Sequence, residues 1–287
     1  MCEFCIRHGD GKRWYLNAAN YAEELLEDAA RAKYVQDFIP VMQAEAGRWL
    51  RVADTANRLS PGVMRRVGAL QSKKMQGVHF GQVVPLEDVD AILGIAGQVV
   101  RLPCVCRTVL EKREAAVCYL LAASPDRLGM AELIGRREEA APFLAGMERV
   151  SRATALAEMA ALEENGAIHT VWTFLTPFIG GICNCDPSGC LAVNYTRRGM
   201  PLYFPGEEKA VVERGACTGC GECLEICQFS AIALADGQAA VDPARCHGCG
   251  ICRRRCAADA LSLVSPAARP ASDAMPRRGG SPPPSPR

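Results

Sequence analysis

CTGCGECLEIC, residues 217–227, and CHGCGICRRRC, residues 246–256, carry the pattern C-x2-C-x2-C-x3-C twice, with a displacement of 29 residues. The match extends beyond the cysteines, because Gly219 and Gly221 correspond to Gly248 and Gly250. Three cysteines at intervals of three residues can wrap a tight loop around one iron–sulfur cubane, and small residues let backbone N–H groups approach its sulfides. The repeat therefore predicts two equivalent cluster-binding units.

This doubled pattern resembles the bacterial-type ferredoxins that carry two [4Fe–4S] clusters, over roughly residues 213–264. The resemblance implies a pseudo-two-fold βαβ domain in which the fourth cysteine of each motif binds the other cluster. It assigns one cluster to Cys217, Cys220, Cys223 and Cys256, and the other to Cys246, Cys249, Cys252 and Cys227. The family usually has proline after the fourth cysteine, whereas Gln228 and Ala257 stand there in this chain.

The residues between the two motifs fit the same arrangement. SAIALADGQAAVDPARC, residues 230–246, predicts a short strand, an Asp-Gly turn and a second strand. Two zinc sites with four cysteines each are the alternative, but such sites usually space their cysteines as two separated C-x2-C pairs.

The charges near the two predicted clusters differ. Glu222 and Glu225 lie near the first, whereas His247 and the run Arg253–Arg255 lie near the second. Because reduction adds negative charge, nearby cations favour the reduced form. We therefore expect the second cluster to be the easier to reduce.

Composition sets the class of the protein. The chain has 287 residues, of which 49% are apolar, and a net charge of +1. This predicts a globular protein and gives no argument for nucleic acid or an anionic membrane as partner. We expect no membrane span and a cytoplasmic location. Since the cytosol keeps thiols reduced, the sixteen cysteines favour metal binding over disulfides.

The upstream residues 1–212 predict a cysteine-rich α+β domain, helix-rich with a small sheet. Helical spacing indicates two helices within the first sixty residues, divided near Pro40, and further helices after Pro85 and after Ser151, the latter residue as N-cap. QVVRLPCVC, residues 98–106, predicts a strand that ends in a C-x-C pair, and AIHTVWTFLTPFIGG, residues 167–181, predicts an extended segment with a turn.

Six upstream cysteines are candidate ligands of a further metal site. LPCVCR and GGICNC each deliver a C-x-C pair, and Asp186, Pro187 and Gly189 turn the chain so that a third cysteine faces the same place. An iron–sulfur cluster is the first interpretation, zinc the second and a reactive dithiol the third. The candidates are Cys104, Cys106, Cys118, Cys183, Cys185 and Cys190, of which Cys118 is the weakest because a buried free cysteine often serves as a small apolar residue.

CEFCIRH, residues 2–8, adds Cys2 and Cys5 to the candidate metal ligands, with His8 three positions further on. These residues need partners from elsewhere, because two or three ligands do not fill a tetrahedral site. Eight upstream cysteines would suffice for one or two further clusters. CEFC, the middle C-x-C-R and the later ICNC also resemble an upstream region that accompanies ferredoxin modules in other proteins of anaerobes.

Other segments have simpler interpretations. His79 and His169 stand alone beside apolar residues, which is more typical of packed or hydrogen-bonded histidines than of metal ligands. Residues 265–287 carry seven prolines among small and basic residues, which predicts a disordered tail.

The ligand repeat predicts an electron-transfer protein with a redox protein as its partner, since cubanes exchange single electrons. Two alternatives stay open. The chain could be the electron-input subunit of an oxidoreductase with a catalytic upstream site, or a redox-responsive regulator built on the helix and strand of residues 152–174.

Overall fold

The computed structural model describes residues 13–112, 115, 117–126 and 129–265. Cys2, Cys5, His8 and the predicted tail from residue 266 onward lie outside this range. The helices are α1 (Ala29–Leu59), α2 (Pro61–Met75), α3 (Leu86–Ile95), α4 (Val105–Glu111), α5 (Gly129–Ile134), α6 (Ala141–Ala145), α7 (Arg152–Glu164), α8 (Leu191–Arg197), α9 (Glu222–Ile226) and α10 (Ile251–Arg255). Short 3-10 turns lie at Trp14–Leu16, Ala18–Tyr21, Glu23–Glu27 and Glu138–Ala140.

The strands form one large mixed sheet and two small ones. The large sheet has seven strands in the order β4-β2-β3-β6-β5-β1-β7, and its only parallel pair among the described residues is β1 with β7. They are β1 (Gly81–Val84), β2 (Gln98–Leu102), β3 (Cys118–Ala122), β4 (Glu148–Val150), β5 (Ile168–Thr173), β6 (Ile179–Cys185) and β7 (Tyr203–Phe204). The prediction of a mixed α and β chain is confirmed, but the expectation of a small upstream sheet was wrong.

Each face of the seven-stranded sheet has its own core. Because side chains alternate along a strand, Tyr119 and Ile182 pack on one face with α3 and α7, whereas Leu120 and Trp172 pack on the other with α1 and α5. The second face also carries Cys118, Cys183 and Cys185, and we call it the thiol face. Because both faces are covered, polar side chains of the central strands such as His169, Thr170 and Asn184 are buried as well.

Helix α1 corrects the predicted division at Pro40. The helix runs from Ala29 to Leu59 with Pro40 in its interior, capped by Asp28, whose carboxylate accepts from the N–H of Arg31 at 2.8 Å. Proline removes one backbone hydrogen bond. Val35 and Ile39 before Pro40, and Ala46 and Leu50 after it, are all buried, so packing on both sides holds the two halves as one helix.

The first C-x-C pair also departs from its prediction. Strand β2 ends at Leu102, and Cys104 is instead the N-cap residue of α4, with Cys106 in the first helical turn. The other upstream predictions hold better: α3 follows Pro85, and Ser151 caps α7 by accepting from the N–H of Thr154 at 3.0 Å.

The remaining strands make a compact C-terminal unit, residues 209–264. Strand β8 (Lys209–Val212) pairs with β11 (Leu261–Val264), and β9 (Ile232–Ala235) pairs with β10 (Gln238–Val241), both antiparallel. Asp236 and Gly237 both have positive φ, as the predicted Asp-Gly turn requires. The pairing of β8 places residues 209–212 with this unit, just before the predicted boundary at residue 213.

In the part of the chain that the structure describes, no helix combines the length and the apolar character needed to cross a membrane.

Gly219 and Gly221 provide a matched test of the motif loops. Both have positive φ, but a Cβ on Gly219 would collide with the carbonyl oxygen of Gly237, whereas a Cβ on Gly221 would meet nothing within 4 Å. Gly221→Ala should therefore cost about 1–2 kcal/mol from its backbone conformation alone. Gly219→Ala adds the collision and should cost on the order of 3 kcal/mol or more. Denaturant unfolding checks the ranking, and equal losses would contradict it.

Candidate metal sites

Two cavities in the C-terminal unit each bring together four cysteines. One is lined by Cys217, Cys220, Cys223 and Cys256, and the other by Cys227, Cys246, Cys249 and Cys252. We call these groups the first and second thiol sets. In each set the fourth cysteine comes from the other motif, which is the exchange implied by the family resemblance. The centre of a water-sized sphere can move through about 20 Å³ in each cavity.

Backbone N–H groups approach the sulfurs in a repeated pattern. Ala210 and Ala239, 29 residues apart, each donate to the first cysteine of a motif, Cys246 and Cys217, at 3.4 Å. The N–H groups of Ala231 and Ala260, again 29 residues apart, each donate to the fourth cysteine of the preceding motif at 3.3 Å. Such bonds stabilise negative charge on sulfur.

The two thiol sets differ in their access to solvent. Cys220 of the first set is exposed, whereas Cys246 and Cys252 of the second set are buried. Burial raises the pKa of Cys249, also in the second set, to about 12. A group held at the first set would therefore lie closer to an external partner than one held at the second.

The arginines after Cys252 are each paired with a carboxylate. Arg253 lies 2.8 Å from Glu87, Arg254 lies 3.0 Å from Glu163, and Arg255 lies 3.4 Å from Glu222. Glu87 and Glu222 offset the charges of Arg253 and Arg255, whereas burial raises the pKa of Glu163 to about 7, so Arg254 is only partly compensated. The Nζ of Lys209 also donates to the carbonyl of Cys246 at 2.7 Å, so positive charge remains beside the second set and the order of reduction stays a prediction.

The six upstream cysteines of the described range line one cavity beneath α1. The centre of a water-sized sphere can move through about 330 Å³ there. We call it the thiol cavity, and its cysteines are Cys104, Cys106, Cys118, Cys183, Cys185 and Cys190. The structure thus brings together residues that four separate segments of the chain supply.

Three of these cysteines come from neighbouring strands. Cys118 on β3 lies directly opposite Cys183 on β6, and Cys185 lies two residues further along the same face. Strand β6 is regular at this point, because the register shift of its pairing with β5 lies at Trp172/Thr173. The second C-x-C pair therefore lies on a regular stretch of strand with both thiols on one face. Cys118, the weakest candidate on sequence grounds, occupies the middle of the group.

The other three cysteines come from helix starts. Cys104 and Cys190 are the N-cap residues of α4 and α8, and Cys106 lies in the first turn of α4. Thiol hydrogen bonds join Cys104 to both Cys106 and Cys118, Cys118 to Cys183, and Cys190 to both Cys106 and Cys185. The bonds from Cys106 and Cys118 hold the pKa of Cys104 well below its usual range. The six thiols therefore form one connected group.

An ion pair holds the two C-x-C segments together. Arg107, next to Cys106, pairs with Asp186, next to Cys185, and the two side chains are 11% and 21% exposed. Burial alone would raise the pKa of Asp186, but hydrogen bonds from Ser188 and Gly189 and the charge of Arg107 hold it below its usual range. Asp186 thereby fixes the turn that delivers Cys190, as the sequence suggested.

Gln228 connects the thiol cavity to the second thiol set. It follows Cys227, and its Nε2 donates to the carbonyl of Cys185 at 3.2 Å and to the carbonyl of Gly166. Nearby, Phe229 stacks on His247 with ring centroids 3.9 Å apart, and Tyr203 contacts both rings. In the sequence, Gln228 stands out only as a departure from the usual proline, and its hydrogen bonds to Cys185 and Gly166 could not be predicted from it.

The two histidines are held as the sequence interpretation expected. The Nδ1–H of His79 donates to the carbonyl of Thr173 at 2.5 Å, and the ring stacks on Trp172. The Nδ1–H of His169 donates to Asn184 at 2.6 Å, and burial lowers the pKa of His169 to about 4.

No three His, Cys, Asp or Glu side chains in the described part of the chain are arranged to hold one metal ion. A cubane differs in its requirement, because it binds each thiolate to a different iron. The sequence matches no protein-family model and no curated protein.

Glu163 provides a test of the contact between the C-terminal unit and α7. It is 1% exposed, and burial raises its pKa to about 7, with Arg254 opposing the shift. Between about pH 5 and 7 the unfolded chain has lost this proton while the folded chain keeps it, so stability falls as pH rises. Glu163→Gln should remove on the order of 2–3 kcal/mol of this loss.

Urea unfolding at pH 5 and pH 7.5 measures the effect, and Glu164→Gln is the matched control because that side chain is 70% exposed. The same pH dependence in both variants and in the unsubstituted protein would contradict the assignment.

Proposed function

We propose that this chain is an iron–sulfur electron-transfer protein with two [4Fe–4S] clusters on the first and second thiol sets and a third metal site in the thiol cavity. The observation that carries the proposal is the grouping of the fourteen cysteines in the described range, which are all free and all line one of three cavities. When bound, such clusters exchange one electron at a time.

The C-terminal unit fits the two-cluster ferredoxin interpretation in its ligands and in its backbone. Each set supplies four thiolates, and the repeated N–H donors from Ala210, Ala231, Ala239 and Ala260 approach sulfurs at equivalent places. Both features follow the 29-residue repeat, as two equivalent clusters require.

The thiol cavity also fits an iron–sulfur group. Six soft donors converge there within an otherwise largely apolar wall, and Arg107 with Asp186 fixes the segments that carry them. Zinc is the weaker alternative, because a closed zinc site takes four ligands. The number of irons in the third site is left open by six thiolates, which exceed the four that one cubane uses.

The position of the three sites suggests how they work together. The first thiol set includes the exposed Cys220 and would face an external redox protein, which is the partner we propose. The second set is more buried and contacts the thiol cavity through Gln228. Its residues therefore lie between the exposed set and the upstream cysteines.

Iron and acid-labile sulfide analysis of the anaerobically purified full chain tests the proposal. We expect clearly more than about eight irons per chain, since two cubanes account for eight. Changing both Cys104 and Cys106 to serine should lower the content to about eight, as the two cubanes would stay. The matched pair Cys246→Ser and Cys249→Ser should instead remove about four.

A full chain with eight irons, unchanged by Cys104→Ser and Cys106→Ser, would remove the third iron–sulfur site from the proposal. A colourless, zinc-containing protein would refute the proposal entirely.

Gln228→Pro introduces the residue that is usual in the family at this position. It should loosen the contact between the second thiol set and the thiol cavity, because it removes both hydrogen bonds of the glutamine side chain. We expect electrons to reach the upstream site several-fold more slowly, measured by stopped-flow absorbance after mixing with dithionite. Ala257→Pro is the matched control, since Ala257 occupies the equivalent position of the other motif and is exposed.

Equal rates in both proline variants would show that Gln228 does not position the two sites. Dipolar broadening of the electron paramagnetic resonance signals, which reports the distance between sites, provides a second readout.

A specific observation favours the oxidoreductase alternative. The thiol cavity is far larger than either cavity of the C-terminal unit, about 330 Å³ against about 20 Å³ on the same measure. The regulator alternative has no such support, since residues 152–173 are α7 and the central strand β5, packed within the fold.

A further inference from the structure

The thiol cavity has a second part that the cysteines do not need. Each cavity of the C-terminal unit surrounds four thiols within about 20 Å³, whereas the thiol cavity measures about 330 Å³ with only two thiols more. Most of the thiol cavity therefore exceeds the space that four thiols enclose in the C-terminal unit. Small-molecule sites typically occupy concave, mostly apolar cavities of this scale.

Aromatic rings form a large part of the cavity wall. His79 is central, with its ring centroid 4.8 Å from both Phe38 and Trp172, and the planes of His79 and Trp172 differ by 28°. Phe174 completes the group: its ring centroid lies 5.0 Å from that of Phe38, and the two ring planes form an angle of 70°. The four rings thus contact one another and form one continuous aromatic wall, against which a planar apolar molecule can pack.

Two polar groups interrupt this wall. Because His79 donates its Nδ1–H to Thr173, its Nε2 carries the lone pair and is the ring nitrogen that can accept a hydrogen bond. Burial lowers the pKa of His79 to about 4, so the ring stays neutral at pH 7 and Nε2 remains an acceptor. The hydroxyl of Tyr34, also in the wall, has no hydrogen-bond partner among the described residues.

The cavity reaches solvent beside α1. Val41 lines it and is nevertheless 52% exposed. This side chain therefore stands at an entrance that a molecule could use without unfolding of the sheet.

We propose that the aromatic part of the thiol cavity binds a small, planar, largely apolar molecule that carries a hydroxyl or N–H group, with His79 Nε2 as the acceptor of its hydrogen bond. Bound there, the molecule lies in the same cavity as the six upstream thiols. This site deepens the proposed function by naming a ligand class for the upstream centre, but its walls do not depend on metal at the cysteines.

Equilibrium dialysis of the anaerobically purified full chain against 2-naphthol and naphthalene tests the site. We expect saturable binding of 2-naphthol at one molecule per chain. Val41→Trp at the entrance should weaken binding of both probes at least about tenfold by filling the space. Val52→Trp is the matched control, because Val52 is on the same helix, is 50% exposed and does not line the cavity; it should leave binding unchanged.

His79→Phe keeps a stacked ring and removes the acceptor. It should weaken 2-naphthol binding about three- to tenfold and leave naphthalene binding unchanged, as expected for loss of one hydrogen bond. Absence of saturable binding to the unsubstituted protein, or equal effects of Val41→Trp and Val52→Trp, would overturn the site. Equal weakening of both probes by His79→Phe would overturn the role of Nε2.

Iron analysis of the same samples separates this proposal from the proposed function. Saturable probe binding without iron at the upstream cysteines would keep the ligand site and refute the third cluster. Iron at the upstream cysteines without saturable probe binding would support the third cluster and refute the ligand site. Melting curves of each variant show whether the fold is kept, and Val41→Trp, at an exposed position, provides the test should His79→Phe fail to fold.

Discussion

The structure depends on the burial of many thiols at fixed mutual positions. A buried thiolate is unfavourable unless hydrogen bonds or a cation compensate its charge. In the C-terminal unit, the sulfurs accept hydrogen bonds from the backbone N–H groups of Ala210, Ala231, Ala239 and Ala260. In the thiol cavity, the thiols form hydrogen bonds with one another. In both arrangements the sulfur atoms surround a cavity instead of converging on a single atom. This explains why the fold contains cavities at places where apolar side chains would normally fill the core.

More could be predicted from the sequence at the C-terminus, because the four cysteines of each motif lie close together in the chain. Only one short loop and one short helix separate Cys217 from Cys227, so the spacing of the cysteines alone constrains where their sulfur atoms can lie. The thiol cavity is assembled from distant segments, and the pairing of Cys118 with Cys183 depends on the register of β3 against β6. Register is decided by the whole sheet, so no local pattern distinguished Cys118 from an ordinary apolar residue.

Gln228 shows how a departure from a motif can carry information. Proline at this position would fix the backbone but could not donate a hydrogen bond. Glutamine instead reaches two carbonyl groups of the upstream domain, those of Gly166 and Cys185. The family pattern describes a unit on its own, whereas this chain requires the unit to dock on a sheet. The substitution is thus understandable only when both partners are in place.

The contrast between the cavities bears on the proposed electron-transfer function. A carrier needs only to enclose its cofactor, and the two small cavities of the C-terminal unit fit that task. The thiol cavity combines six thiols with an aromatic wall and an entrance at Val41, which enclosure alone does not require. The exposed first thiol set and the large thiol cavity differ in their access to solvent and in their size. With the proposed clusters in place, such an arrangement would suit the passage of electrons from an external redox protein to a molecule bound in the thiol cavity.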